Sequence, residues 1–157
     1  MVPFWVMRVL GVDYGRKRIG LALSDATGML ARPWKTIARV GDARQVAAAI
    51  AAQIEALADE GEEVGAIVLG LPRRLSGEPS DQTAAVEAVA ARLRQQIRIR
   101  VAFQDERLTS REAESRLAVR EKDWRKRKQA LDAEAAAIIL QDYLDSTPRM
   151  TADGEGA

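Results

Sequence analysis

The run VGAIVLGL, residues Val64–Leu71, is apolar or glycine at every position. It is too short for a buried helix and too uniformly apolar for a strand with one wet face. It therefore predicts a central strand covered on both sides. Such a strand needs helices above and below a sheet, and the flanking sequence offers them. Residues 42–60 (DARQVAAAIAAQIEALADE) set Val46, Ile50, Ile54 and Leu57 at helical spacing. Residues 81–96 do the same with Ala85, Val86, Val89, Ala90 and Leu93.

The remaining pattern completes an α/β chain. Met7–Asp13 reads as a strand, Arg18–Ser24 as its partner across a turn at Gly15, and Pro33–Ala38 as a third strand. Ile97–Phe103 alternates as another strand, and Thr109 opens a helix with Glu112 in capping-box position. Arg120–Lys128 is a charge run around Trp124 that reads as mobile, and Leu131–Leu144 is a last helix. Neighbouring strands pair antiparallel, and right-handed crossovers add parallel strands. The expectation is a mixed five-stranded sheet, with strands 1–3 antiparallel and strands 4–5 parallel, flanked by helices. At 157 residues the chain fits a single domain, with a core over about residues 7–145 and a flexible tail over 146–157.

Two absences narrow the chemistry. The chain has no Cys and no His, which removes disulfides, thiol nucleophiles, thiolate zinc sites, imidazole bases and any Ser-His-Asp triad. A reaction here must rest on carboxylates, Lys/Arg, hydroxyls, or a bound metal or cofactor. No apolar run approaches the roughly 18 residues that span a bilayer. The opening MVPFWVMRVL lacks a signal pattern, so a cytoplasmic protein without membrane contact is expected.

The net charge of +1 conceals segregation: residues 92–128 carry 13 Lys/Arg against 6 Asp/Glu, net +7. A basic segment of that density points to a polyanion, although long arginines also solvate helix faces. Arg16, Lys17 and Arg18, then Arg73 and Arg74, then Lys126, Arg127 and Lys128 are candidate phosphate contacts. Trp124 either stacks on a base or anchors a loop. Thr109 and Ser110 have no base to activate them, and capping accounts for Thr109.

Acids stand in odd places. Asp13 ends the first strand, Asp105 and Glu106 end the last, and Asp132 opens the final helix. Each alone fits a turn or an N-cap. Together they suggest more, since sites form beyond the carboxyl ends of central strands. Asp132 also shares a stripe with Ala136, Ile139 and Tyr143, which turns it toward the sheet. Three converging carboxylates stay ionised only beside a cation, and Mg²⁺ or Mn²⁺ suits an all-oxygen set. Two such ions activate water and stabilise a leaving oxygen in phosphodiester hydrolysis.

These motifs bring a family with them. VLGVDYGRKRIGLALSD, IVLGLPRRLSGEPSDQT, QDERLTSREAE and LDAEAAAIILQDYLD occur in order and at suitable spacing. Over about residues 8–145 the chain resembles the YqgF family of Holliday junction resolvases and pre-16S rRNA nucleases, in the ribonuclease-H-like superfamily. The resemblance implies a catalytic, metal-binding triad of Asp13, Glu106 and Asp132, with Arg107 beside it. Gly15, Gly20 and Gly77 match family glycines. Ser76 stands where family members often carry Asp, and Met7 matches their usual start. A monomer, at most a weak dimer, that processes the 5′ end of pre-16S rRNA is the leading expectation. A junction resolvase and a non-catalytic RNA-binding assembly factor are alternatives. An actin-like phosphate-binding enzyme shares the D-x-G-x-x-x-x-G pattern but needs two such domains.

Overall fold

A computed structural model of the chain describes residues 7–72, 76–106, 115 and 124–146. Five strands form one sheet: β1 (Arg8–Tyr14), β2 (Arg18–Ser24), β3 (Ala31–Ala38), β4 (Val64–Leu71) and β5 (Arg100–Asp105). Their spatial order is β3-β2-β1-β4-β5. β1 and β2 pair antiparallel, as do β2 and β3, whereas β4 lies parallel to β1 and β5 parallel to β4. The expected mixed sheet is therefore the one that forms.

The helices α1 (Ala43–Asp59), α2 (Asp81–Gln96) and α3 (Trp124–Ser146) cover its two faces. Asp42 starts α1 by accepting the Gln45 backbone N–H at 2.9 Å, and the Gln45 amide oxygen accepts the Asp42 N–H at 2.8 Å. That reciprocal pair satisfies two of the helix's otherwise open donors. Leu10, Val12, Ile67 and Leu69 meet Val46 and Ile50 of α1 and Val89 and Leu93 of α2, and all eight are buried. On the opposite face Ala22 and Val68 pack against Ala136, Ile139 and Leu140 of α3. Each fully buried Leu or Ile contributes about 1.5–3 kcal/mol of transfer free energy. β4 carries residues of both clusters, as its uninterrupted apolar run requires.

Several boundaries depart from expectation. β5 begins at Arg100, three residues later than the alternation from Ile97 suggests, because Ile97 donates its N–H to Leu93 at 2.9 Å and closes α2. β3 begins earlier, at Ala31, and a bulge between Leu21 and Ala22 accommodates Pro33. β1 runs one residue past Asp13, to Tyr14, which pairs with Ile19. The largest correction is α3. It starts at Trp124, seven residues before Leu131, so the part of the charge run from Trp124 onward is helical. Arg, Lys and Gln are good helix formers without any apolar stripe, which periodicity cannot register. Asp132 is consequently the ninth residue of a helix, not its N-cap.

Candidate active site

Strand alternation sorts the acids. Leu10, Val12 and Tyr14 face the α1–α2 side, which turns Val9, Gly11 and Asp13 toward α3. In β5, Val101 and Phe103 likewise join the α1–α2 cluster. The alternate positions, ending with Glu106, project under α3. Glu106 follows the strand directly and donates its N–H to the Leu71 carbonyl at 3.4 Å. A Cβ on Gly70 would lie 2.5 Å from Glu106 Oε2 and from Ile139 Cδ1. Gly70 thus leaves the space that the Glu106 carboxyl occupies beside β1. Gly20 stands opposite Asp13 in the hairpin, and a Cβ there would collide with the Asp132 carbonyl. Only glycine lets α3 descend this close to β2, and that approach carries Asp132 to the sheet.

The three side chains differ in state. Asp13 and Glu106 are partly buried and joined by a side-chain hydrogen bond. Burial lifts the Asp13 carboxyl to about 6; the hydrogen bond to Glu106 opposes that rise and the charge of Asp132 adds to it. Burial also lifts Glu106, to about 9, helped by the charge of Asp13, their hydrogen bond and Asp105. At neutral pH Glu106 therefore keeps a proton and donates it to the Asp13 carboxylate. Asp132 instead accepts the Nε–H of Arg18 on its Oδ2 at 2.9 Å. A proton and a guanidinium thus relieve the crowding of three acids. Among the described residues, no three acidic side chains are grouped closely enough to hold a metal ion as they stand. The donor chemistry nevertheless fits one: three carboxylates, two of them pushed up by burial and by neighbouring carboxylates, whose neutralising proton a cation would displace.

The candidate cations fare differently. Arg16 and Lys17 are exposed at the hairpin tip, whereas Arg18 is paired with Asp132. Lys126, Arg127 and Lys128 lie on the α3 backbone, while their side chains, like that of Trp124, are outside what is described. Arg73, Arg74, Arg107, Thr109 and Ser110 lie outside the described residues. Asp25, the acid closing the first motif, is structural: it accepts from Thr27 Oγ1 at 2.6 Å and from the Met29 and Leu30 N–H groups at 2.7 and 3.1 Å.

Arg39 escapes sequence reasoning. Its guanidinium lies 4.2 Å over the Tyr14 ring and donates to the Gly15 carbonyl at 3.1 Å, while its N–H donates to the Lys17 carbonyl at 3.0 Å. It fixes the hairpin that presents Asp13. No local signal marks it, because only the pairing of β2 with β3 sets Ala38 opposite Arg18.

Residues 7–146 match the family model described as RuvX, Holliday junction resolvase. The chain belongs to the RuvX family. The acids and glycines described above all fall within the matched span. A relative from Synechocystis sp., named "Putative pre-16S rRNA nuclease", is 40% identical over 87% of this chain and 86% of its own. One of the same name from Anaeromyxobacter dehalogenans is 42% identical over 88% of this chain and 97% of its own. Among solved structures, RuvC of Thermus thermophilus in complex with a Holliday junction substrate is similar with a TM-score of 0.47 and 17% identity. That match covers 88% of this chain and 93% of RuvC.

Proposed function

We propose that this chain is a single-domain, divalent-metal-dependent nuclease that hydrolyses RNA phosphodiester bonds and processes the 5′ end of pre-16S rRNA. The observation that carries the reading is the proton-sharing Asp13–Glu106 pair with Asp132 beside it, at the carboxyl ends of β1 and β5. The relatives' names support the substrate. Asp13, Glu106 and Asp132 would hold Mg²⁺ or Mn²⁺ through their carboxylate oxygens. Such ions, when bound, supply an activated water and neutralise charge on the phosphate and leaving oxygen.

The chain's own residues do the rest. Glu106 gives up the proton it shares with Asp13 when the site loads. Arg39 and the Gly15 turn hold Asp13 in register with Gly20, and α3 holds Asp132 over β2. Arg16 and Lys17 contact phosphates on one side. Arg73, Arg74, Arg107, Lys126, Arg127 and Lys128 are further phosphate contacts in this reading, and the +7 segment attracts the polyanion. A monomer in the cytoplasm fits the reading. Among the described residues no helix is long and apolar enough to cross a membrane, and the exposed large apolar side chains are Met29, Leu30 and Val40. Paired cuts in a four-way junction require two sites at fixed separation, held by a sizeable interface.

The experiment compares precursor 16S RNA with a four-way DNA junction at equal concentration in Mn²⁺, with Asp13→Asn as control and sedimentation alongside. RNA cleavage by a monomer, lost in Asp13→Asn, is expected. Symmetric junction nicks from a stable dimer with the RNA intact would replace the reading with a resolvase. Binding without cleavage of either would make the chain an assembly factor.

A further inference from the structure

The Arg18–Asp132 pair joins two residues 114 apart in sequence and belongs to neither the fold's core nor its surface. Its guanidinium comes from the first residue of β2, and its carboxylate from the third turn of α3. Both backbones are fixed. The Arg18 carbonyl accepts the Gly15 N–H at 3.0 Å and so closes the hairpin turn. The Asp132 carbonyl rests against Gly20 with no room for a methyl group between them. The hairpin does not depend on the Arg18 side chain, because Arg39 already clamps it through Tyr14 and the Gly15 and Lys17 carbonyls. What remains free to change is side-chain rotation alone.

Charge then decides what Arg18 does. Asp132 sits near enough to Asp13 for their charges to interact, and its own oxygen is taken by a cationic fork. Side-chain exposures of 42% for Arg18 and 22% for Asp132 put the pair at the mouth of the site, within reach of an incoming phosphate. A guanidinium binds phosphate in the same bidentate way as carboxylate. We propose that Arg18 is a positioning residue that holds Asp132 as a monovalent stand-in for a cation and transfers to a nucleic-acid phosphate when substrate arrives. Asp132 is thereby released to complete the ligand set. The proposal rests on the reading of Asp13, Glu106 and Asp132 as metal ligands. Its consequence is ordered loading: the metal competes with Arg18 for Asp132 until a polyanion draws Arg18 away.

The test titrates Mn²⁺ into the metal-free full chain, followed by the loss of the free-ion paramagnetic resonance signal. Arg18→Gln is expected to bind Mn²⁺ about fivefold more tightly than wild type, the equivalent of one part-exposed ion pair. Arg18→Lys, which keeps the charge, should stay near wild type. In EDTA, Asp132→Asn should tighten binding of a single-stranded RNA 12-mer, and more so with Arg18 present than in the Arg18→Gln background. Equal or weaker Mn²⁺ binding by Arg18→Gln overturns the proposal, because Arg18 then supports the site instead of competing for it. An additive cycle in EDTA overturns it as well. If Arg18→Gln fails to fold, Asp132→Asn alone decides, and unchanged RNA affinity overturns the proposal. Asp13→Asn separates the two levels. If wild type and Asp13→Asn both ignore Mn²⁺, the ligand reading itself has failed. If wild type binds and Asp13→Asn does not, only the role of Arg18 is in question.

Discussion

Glu106 is the residue on which most of the site's energetics turn. Its carboxyl is pushed up to about 9 by burial and by Asp13, and Asp13 in turn stands at about 6. Both lie above their unfolded values of 4.5 and 3.8, so the folded chain holds protons that the unfolded chain has released. That contribution to stability is fully present below about pH 4 and is lost as pH rises through the folded values. Metal-free protein should therefore melt at a progressively lower temperature between pH 5 and pH 9. Glu106→Gln, which keeps a donor to Asp13 and cannot ionise, should flatten the profile; an equally steep profile in the variant would place the dependence elsewhere. Gly70 tests the same pocket sterically. Gly70→Ala puts a methyl group where Glu106 Oε2 and Ile139 Cδ1 already sit, 2.5 Å away. It should cost about 1–3 kcal/mol in urea unfolding. A neutral Gly70→Ala would mean that the ends of Glu106 and Ile139 swing aside at little cost. At this scale the sequence disclosed the acids but not their partners. Asp13, Glu106 and Asp132 can be picked out from strand ends and a helical stripe. Arg18 on Asp132 and Arg39 on Tyr14 depend on packing across strands and helices that no local spacing encodes.

Elements with sharp chemical edges were legible. Arg18–Ser24, Val64–Leu71 and Asp81–Gln96 form over the residues their patterns mark, because each apolar pattern ends on glycine, proline or charge. α3 was not, since its first seven residues, WRKRKQA, are mostly good helix formers with no apolar stripe for periodicity to register. The difference matters for Asp132. As an N-cap it would serve the helix backbone. Inside the helix, over Gly20, its carboxylate instead meets the Arg18 guanidinium. Mn²⁺ at about 100 times its Kd should add about 2.7 kcal/mol by linkage, roughly 5–10 °C in Tm for a chain of this size. Asp132→Asn should abolish that rise while altering the metal-free Tm only by the worth of a part-exposed ion pair, at most about 1 kcal/mol. A preserved rise in Asp132→Asn would remove α3 from the site.

Across the whole molecule, one sheet carries two unlike faces. The α1–α2 face is a hydrophobic core, and the α3 face is glycine-thinned at positions 20 and 70, so that a helix and three carboxyls can crowd the strand ends. The positive charge is concentrated over residues 92–128, the segment that also carries Glu106. Nucleic-acid affinity should fall steeply with salt. Neutralising Lys126, Arg127 and Lys128 together should flatten the log–log slope on single strands by about 0.7 for each phosphate that no longer meets a cation. An unchanged slope would move the footprint to Arg16, Lys17, Arg73 and Arg74. The proposed function depends on Asp13, Glu106 and Asp132 acting as one cation-dependent hydrolytic centre. The decisive experiment is single-turnover cleavage of precursor 16S RNA as Mn²⁺ is raised, for wild type, Asp13→Asn, Glu106→Gln and Asp132→Asn. Expected are no cleavage in EDTA, saturable activation in wild type, and a loss of more than about a hundredfold in each variant, beyond what outer-shell changes produce. Cleavage that persists in EDTA, or any one variant cutting at the wild-type rate, would refute a shared centre.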